Sequence, residues 1–475
     1  MNIDDERIVD NNENAKTKYF GTDGFRGEAN VELTSLHAYK IGRFLGWYYS
    51  AFKSNNGTGK AKIVIGKDTR RSSYMLEYSI VAGITSSGAD AYMLHVTTTP
   101  SVSYVTRTEG FDCGIIITAS HNPYYDNGIK LVNRNGEKME SRIISLIESY
   151  LDGDMSKLNI ADNDLPLALR DEMGQIVDHI AGRNRYVGYL ISLASHSYRD
   201  LKIGLDCANG AAWSIAKAVF DALGARTFVI GANPNGTNIN DGVGSTHIER
   251  LVNNVIENDL DVGFAFDGDA DRCIAVDEQG NIIDGDKILY ILANRYKENE
   301  TLYDNTVVLT VMSNIGLLKS LEESGISYEI TSVGDRFVYQ RMLEKGYILG
   351  GEQSGHVIIR KYATTGDGLL TALMITEEIK DKKCKLSKLS EKVYTYPQVT
   401  ENVKVKDKNQ LLTDKEVNSL INTINAELSD SGRLLLRASG TESVIRIMAE
   451  SSSEEICKNA VKRIKDIIIQ KELLN

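Results

Sequence analysis

Three acidic residues at alternate positions lie on one glycine-containing run, Asp267-Gly268-Asp269-Ala270-Asp271-Arg272. Hard oxygen ligands in that number suit Mg²⁺, which keeps other positions for phosphate oxygen or water. The EF-hand pattern with its later Glu is absent, so Ca²⁺ fits less well. A solvated acidic turn is the competing reading. Ser120 follows an apolar run and precedes His121, Asn122 and Pro123. A serine there can be an exposed nucleophile or a phosphate carrier, with His121 as a base or phosphate partner. A plain turn before proline is the alternative. No Gly-x-Ser-x-Gly elbow is present, so a hydrolase triad is not supported.

Glu352, Ser354 and His356 alternate with Gln353 and Gly355. In an extended loop they would share one side, a set suited to sugar hydroxyls. Arg437, Ser439, Gly440, Thr441 and, further on, Arg446 have the composition of an anion nest suited to phosphate. It is not a P-loop, because the Gly-Lys-[Ser/Thr] ending is missing. In Phe20-Gly21-Thr22-Asp23-Gly24-Phe25-Arg26-Gly27, a glycine-rich hairpin could bring the Arg26 guanidinium into a cleft. Asp126-Asn127-Gly128-Ile129-Lys130 reads as a turn delivering Lys130 back toward the Ser120 loop.

The elements that must carry these loops recur three times. A β-rich run ends in a polar loop (62–68, 201–206, 306–314), and a helix-like stretch closes on Gly88, Gly224 or Gly325. A second strand follows (89–96, 225–230, 326–331), and later a short apolar third (114–117, 262–266, 347–349). The Ser120, Asp267 and Glu352 runs each follow a third strand. Alternating strands and helices imply mostly parallel α/β sheets, whose ligands bind outside the carboxyl ends of the strands. Three such loops are read as feeding one shared cleft. After about residue 390 the pattern changes: a strand at 402–405, a helix at 409–428, two strand-like runs within 433–450 and an amphipathic helix at 454–474. The fold expected is α/β, three similar mixed α/β domains plus a smaller C-terminal α+β domain around a central cleft. The divisions are a flexible tail at 1–18 and domains at 19–175, 176–281, 282–390 and 391–475. The acidic stretch 151–180 is read as irregular.

A chain of 475 residues is too long for one core. Its net charge of −11 argues against nucleic-acid or anionic-membrane binding. The uncharged run 91–106 is too short and polar to span a bilayer, and 1–18 is too acidic for a signal peptide. Five scattered cysteines read as reduced thiols in the cytoplasm.

Together the runs Thr-Ala-Ser-His-Asn-Pro, Asp-Gly-Asp-Ala-Asp-Arg, Gly-Glu-Gln-Ser-Gly-His and Arg-x-Ser-Gly-Thr-Glu, in that order, resemble the α-D-phosphohexomutase family. The resemblance covers nearly the whole chain from about Tyr19. Gln353, the run Asn235–Asn240 followed by Gly244–His247, and Tyr124–Lys130 point to the branch acting on glucosamine phosphates. That resemblance implies interconversion of sugar 6- and 1-phosphates through a phosphoserine and a 1,6-bisphosphate, the product feeding UDP-N-acetylglucosamine and cell-wall precursor synthesis. Ser120 would carry the phosphoryl group. Asp267, Asp269 and Asp271, with a phosphoserine oxygen, would hold one Mg²⁺ per subunit. Glu352, Ser354 and His356 would hold sugar hydroxyls. Arg437, Ser439, Gly440, Thr441 and Arg446 would bind the phosphate not being transferred. Arg26, Lys130 and Arg272 would surround the transferred phosphoryl, with Lys130 or His121 as acid/base. A hexosamine or glucose 1,6-bisphosphate would act as activator, on a monomer or homodimer. The alternatives are the same chemistry on glucose or mannose phosphates, or a non-catalytic sugar-phosphate-binding regulator.

Overall fold

The structure is a computed structural model describing residues 18–21, 23–56, 59–158, 160, 163–438 and 444–471. Residues 1–17 of the expected N-terminal tail and the residues Ser439, Gly440 and Thr441 lie outside the described residues; Lys18, the last residue of that tail, is paired, its Nζ 2.5 Å from Asp152 Oδ1. The chain divides into two compact units, Met1–Val311 with Ile326–Ser390, and Met312–Gly325 with Glu391–Asn475.

The first unit holds three sheets. Strands β1 (Phe20–Gly21), β2 (Gly24–Glu28), β3 (Lys62–Lys67), β4 (Asp90–Val96), β5 (Cys113–Ile117), β6 (Asp126–Asn133) and β7 (Ile176–Asp178) pair in the order β1-β2-β6-β5-β3-β4-β7. Strands β8 (Lys202–Asp206), β9 (Arg226–Ile230), β10 (Val262–Phe266), β11 (Cys273–Asp277) and β12 (Ile282–Ile283) pair as β12-β11-β10-β8-β9. Strands β13 (Thr306–Thr310), β14 (Ser327–Thr331), β15 (Leu349–Gly351) and β16 (Val357–Ile359) pair as β14-β13-β15-β16.

One topology is thus repeated. The first strand of each set is central and parallel to the second and third, and the fourth returns antiparallel to the third. Gly88, Gly224 and Gly325 all have positive φ, as a glycine just past a helix requires. Strands β5 and β10 are buried along their whole length, as strands covered on both faces must be. The sheets are mixed rather than mostly parallel, because every third strand turns back into an antiparallel partner.

Several local readings change. Asp126–Lys130 is not a turn but the start of β6, registered against both β5 and β2. Gly128 lets it approach the Ser120 loop: a Cβ there would lie 2.4 Å from the Thr118 carbonyl oxygen. The Glu352 loop is not extended. The Gly355 amide donates to the Glu352 carbonyl at 3.0 Å, and Gly355 takes φ +90, so the run is a tight turn between β15 and β16. The third strand of the third set begins at Leu349, not Tyr347, and the first strand stops at Thr310, leaving Asn314 to cap the helix Ile315–Glu323. Within 151–180, β7 adds a parallel edge strand beside β4.

The second unit carries β17 (Gln398–Lys404), β18 (Gly432–Ala438) and β19 (Val444–Ser451), antiparallel in the order β17-β19-β18. The single helix expected at 409–428 is two, Lys408–Thr413 and Lys415–Leu428. The Asp414 side chain accepts from the Glu416 and Val417 amides and so restarts the helix. Val417, Ile424, Ile445, Ile447, Val461 and Ile464 are in its core.

Candidate active site

Each polar loop connects a buried third strand to its antiparallel partner. Ser120 leaves the end of β5 with its amide donating to Thr118 Oγ1 at 3.0 Å, while Thr118 Oγ1 donates to Asp68 Oδ2 at 2.8 Å. Its own backbone stands at φ +52, a region that residues with side chains rarely occupy. The Ser120 hydroxyl donates to Asp267 Oδ2 at 2.6 Å and lies 3.4 Å from His121 Nδ1. The β5–β6 and β10–β11 loops therefore meet at the Ser120–Asp267 contact. Burial first, and then the Arg272 and Arg26 charges, press the His121 pKa down to about 4, so its imidazole is neutral at pH 7.

Asp267, Asp269 and Asp271 are all buried, and one carboxylate oxygen of each lies within 4.8 Å of the others. Thr99, at the start of the helix Thr99–Thr108, donates its hydroxyl to Asp269 Oδ2 at 2.5 Å. Lys130 Nζ lies 2.9 Å from Asp269 Oδ2 and 3.2 Å from Asp271 Oδ2. Among the described residues, neither Asp269 Oδ1 nor Asp271 Oδ1 has a hydrogen-bond donor. Burial, then the Asp271 and Asp269 charges, push the Asp267 pKa well up. Buried, mutually repelling carboxylates with unpartnered oxygens fit a bound cation.

Arg26, on β2, pairs with Asp23. Asp23 Oδ2 also lies 3.1 Å from Lys130 Nζ, and Asp23 Oδ1 lies 3.3 Å from Lys138 Nζ. Burial would raise the Asp23 pKa, but Lys130, Lys138 and Arg26 together pull it well below the carboxylate range. Arg272 Nε sits 4.0 Å from Asp271 Oδ1. From the third loop, the buried His356 places Nδ1 3.7 Å from Asp271 Oδ1 and Nε2 3.6 Å from Asp335 Oδ2. Burial lowers its pKa, but Asp271 and Asp335 outweigh that and raise it to about 9, so at pH 7 both ring nitrogens carry protons, one toward each carboxylate. Glu352 Oε1 accepts from the Gly334 amide at 2.9 Å. Ser354, at the tip of the turn, is exposed, so the turn does not place it in a row with Glu352 and His356.

In the second unit, Arg437 on β18 stands directly opposite Arg446 on β19. Like charges at opposed cross-strand positions are destabilising by themselves, and such a pair suits an anion. Arg446 Nε also donates to Asn402 Oδ1 at 3.0 Å.

Sequence reasoning missed Arg70, Thr99, Lys138 and Asp335. Arg70 is fully buried and its guanidinium reaches four backbone carbonyls of the Ser120 loop. Its position just after the first strand, in a polar loop of the same kind as the others, was the available signal. Lys138 and Asp335 meet at 2.6 Å across 197 positions of sequence.

Four family models match the chain in order. They describe the phosphoglucomutase/phosphomannomutase α/β/α domains I, II and III and the C-terminal domain, at residues 17–157, 184–280, 284–396 and 401–467. The chain belongs to this family of phosphohexomutases. Within it, the chain is most like the phosphoglucosamine mutases: it is 58% identical to that of Lachnospira eligens over 96% of this chain and 99% of the relative. It is 46% identical to the phosphoglucosamine mutase of Brevibacillus brevis over 95% and 99%. Among solved structures, a phosphoglucomutase/phosphomannomutase family protein from Burkholderia thailandensis superposes with a TM-score of 0.74 at 22% identity, covering 94% of this chain and 98% of that one. An Aspergillus fumigatus N-acetylphosphoglucosamine mutase, solved with GlcNAc-6P and magnesium, gives 0.67 at 16% identity over 95% and 96%. At those identities the likeness is one of fold.

Proposed function

We propose that this phosphosugar mutase interconverts glucosamine 6-phosphate and glucosamine 1-phosphate, using Ser120 as the phosphoryl carrier. The observation that carries the reading is the Ser120 hydroxyl donating at 2.6 Å to Asp267 of the buried acidic triad. Asp267, Asp269, Asp271 and an oxygen of the phosphorylated serine would hold Mg²⁺. When bound, that ion offsets charge on the transferring phosphoryl group.

The chain's own residues do the rest. The phosphorus–Oγ bond at Ser120 breaks as a bond to the free sugar hydroxyl forms, and the hydroxyl proton leaves to a base. His121, neutral at pH 7, is suited to take that proton. Lys130, pulled up by Asp23, Asp269 and Asp271 against its burial, stays a cation and, with Arg26 and Arg272, faces the phosphoryl oxygens. Glu352 and His356 are assigned to the sugar, and Arg437 and Arg446, with Ser439, Gly440 and Thr441, to the phosphate not being transferred. The 1,6-bisphosphate then turns and returns its other phosphate to Ser120, and added hexosamine or glucose 1,6-bisphosphate primes the enzyme.

A cytoplasmic setting is supported by five free cysteines. Among the described residues, no helix is long and apolar enough to cross a membrane.

The test is to supply glucosamine, glucose and mannose 6-phosphates separately and follow the 1-phosphate. Preference for glucosamine 6-phosphate is expected, and stronger turnover of glucose or mannose 6-phosphate would move the chain to another branch. Ser120→Ala is expected to abolish interconversion and the phosphate seen by intact mass. Undiminished activity in Ser120→Ala would end the phosphoserine mechanism.

A further inference from the structure

The loop Asn235–Asn240 belongs to the second α/β set, yet its last side chain reaches the first. Asn240 is buried, has φ +59, and donates its backbone amide to the Ala208 carbonyl at 2.9 Å. From there its Nδ2 donates to the Ser120 carbonyl at 2.9 Å and to the Asn122 carbonyl at 3.1 Å. These two carbonyls flank His121. Each also accepts from Arg70 Nη2, at 3.0 and 2.9 Å. A carbonyl oxygen has two lone pairs. At both positions one is filled from the first set and the other from the second. Gly268, in the acidic loop, closes the remaining side: a Cβ there would lie 2.5 Å from the Ser120 carbonyl oxygen and 3.1 Å from Asn240 Nδ2.

We infer that Asn240 is a positioning residue for phosphoryl transfer, acting through the backbone of Ser120. The inference rests on Ser120 as the phosphoryl carrier. Ser120 holds a left-handed backbone that a residue with a side chain keeps only when its surroundings enforce it. The Asn240 amide ties that backbone to the same domain that supplies Asp267. The nucleophile and its carboxylate partner are thereby fixed together. If the tie is lost, Ser120 can relax its φ, and Oγ swings away from the triad. A displacement of about 1 Å can cost on the order of a hundredfold in rate. Asn240 touches no reacting atom, so its loss should act on turnover and not on sugar binding.

Asparagine also favours left-handed backbone, so two variants separate the amide from the conformation. Asn240→Gly keeps the backbone accessible and removes the amide. Asn240→Asp keeps the shape and sets carboxylate oxygen against two carbonyl oxygens. Both are expected to lower kcat by about tenfold or more, Asp further than Gly, with KM for glucosamine 6-phosphate changed less than about twofold. Phosphate uptake onto Ser120 from glucose 1,6-bisphosphate, read by intact mass, should slow in parallel. Asn238→Ala serves as the control. Its Nδ2 donates within its own loop, to the Asn233 carbonyl, and wild-type turnover is expected. Wild-type kcat in Asn240→Asp and Asn240→Gly overturns the inference. So does an equal loss in Asn238→Ala, which would report loop folding alone. The underlying reading fails separately, if wild-type protein takes no phosphate at Ser120 from glucose 1,6-bisphosphate.

Discussion

Replacing Arg70 by Lys tests how the Ser120 loop is held. All five guanidinium donors are used: Nε to Asp68 Oδ2 at 2.7 Å, Nη1 to the carbonyls of Pro123 and, at 3.0 Å, Asp126, and Nη2 to those of Ser120 and Asn122. An ammonium has three donors, so at least two acceptors go unmet. The Ser120 and Asn122 carbonyls retain Asn240, and Asp68 retains Ser73 Oγ and Thr118 Oγ1. The Pro123 carbonyl, on an exposed residue, retains the Asp126 amide at 3.2 Å, so the loss falls mainly on the partly buried Asp126 carbonyl. Leaving one buried acceptor unmet costs about 1–3 kcal/mol, so Arg70→Lys should destabilise by about 1–3 kcal/mol at most. Arg70→Met would also strand the buried Asp68 charge, about 3–5 kcal/mol more. Against the roughly 5–15 kcal/mol that holds a typical domain, the Met variant is expected to unfold the first domain. The Lys variant is therefore the informative one. Urea denaturation should show its first transition moved to lower urea, with turnover reduced at temperatures where it is still folded. A denaturation midpoint and kcat equal to wild type would refute the view that the guanidinium shapes the loop.

Chelation by EDTA is expected to remove activity and Mg²⁺ to restore it, whereas Asp269→Asn should resist restoration; full turnover in metal-free buffer would dismiss the triad as a metal site. A pH effect is expected from Asp367, which is buried, caps the helix Gly368–Lys382 and accepts from Tyr186. Burial raises its pKa from 3.8 to about 6. A carboxyl raised in the folded state contributes stability that is full below pH 3.8 and lost as pH rises through about 6. That loss amounts to about 3 kcal/mol at most. Asp367→Asn should therefore gain stability relative to wild type as pH climbs through that window, then hold a constant difference above it. A difference independent of pH between 4 and 7, measured by denaturant unfolding, would rule this out.

The recurring strands were legible because their periodicity and closing glycines are local. So were the motif loops, which simply follow apolar runs. What was not legible depends on distant backbone. Nothing near Arg70 in sequence announces that Pro123 and Asp126 will offer it carbonyls. Asn240 was visible only as one residue in an Asn-rich loop. The alternation of Glu352, Ser354 and His356 failed for a local reason that could have been weighed: Gly355 permits positive φ, and a glycine two residues before a new strand favours a tight turn over an extended run. Asp126–Lys130 failed in the opposite direction. Its Asp-Asn-Gly composition reads as turn, but pairing on both sides with β2 and β5 overrides that preference.

The repeated topology explains how three unlike loops come to serve one chemistry. Each loop begins at the carboxyl end of a third strand, so the fold fixes where it starts and leaves its residues free to differ. The charges then close a ring through all three sets. Asp271 meets Lys130 at 3.2 Å, Lys130 meets Asp23 at 3.1 Å, and Asp23 meets Lys138 at 3.3 Å. Lys138 meets Asp335 at 2.6 Å, Asp335 lies 3.6 Å from His356, and His356 returns to Asp271 at 3.7 Å. Acid and base alternate around it. Partly buried charges of this kind are costly when one partner is removed and contribute little net stability when all are present. Their retention is better explained by placement than by stability. Lys130 is held where it is by a carboxylate from its own domain and two from the second. The second domain's Asp271 is in turn faced by the third domain's His356. Lys130, the cation proposed to face the transferred phosphoryl, is therefore placed by contacts that run through all three domains.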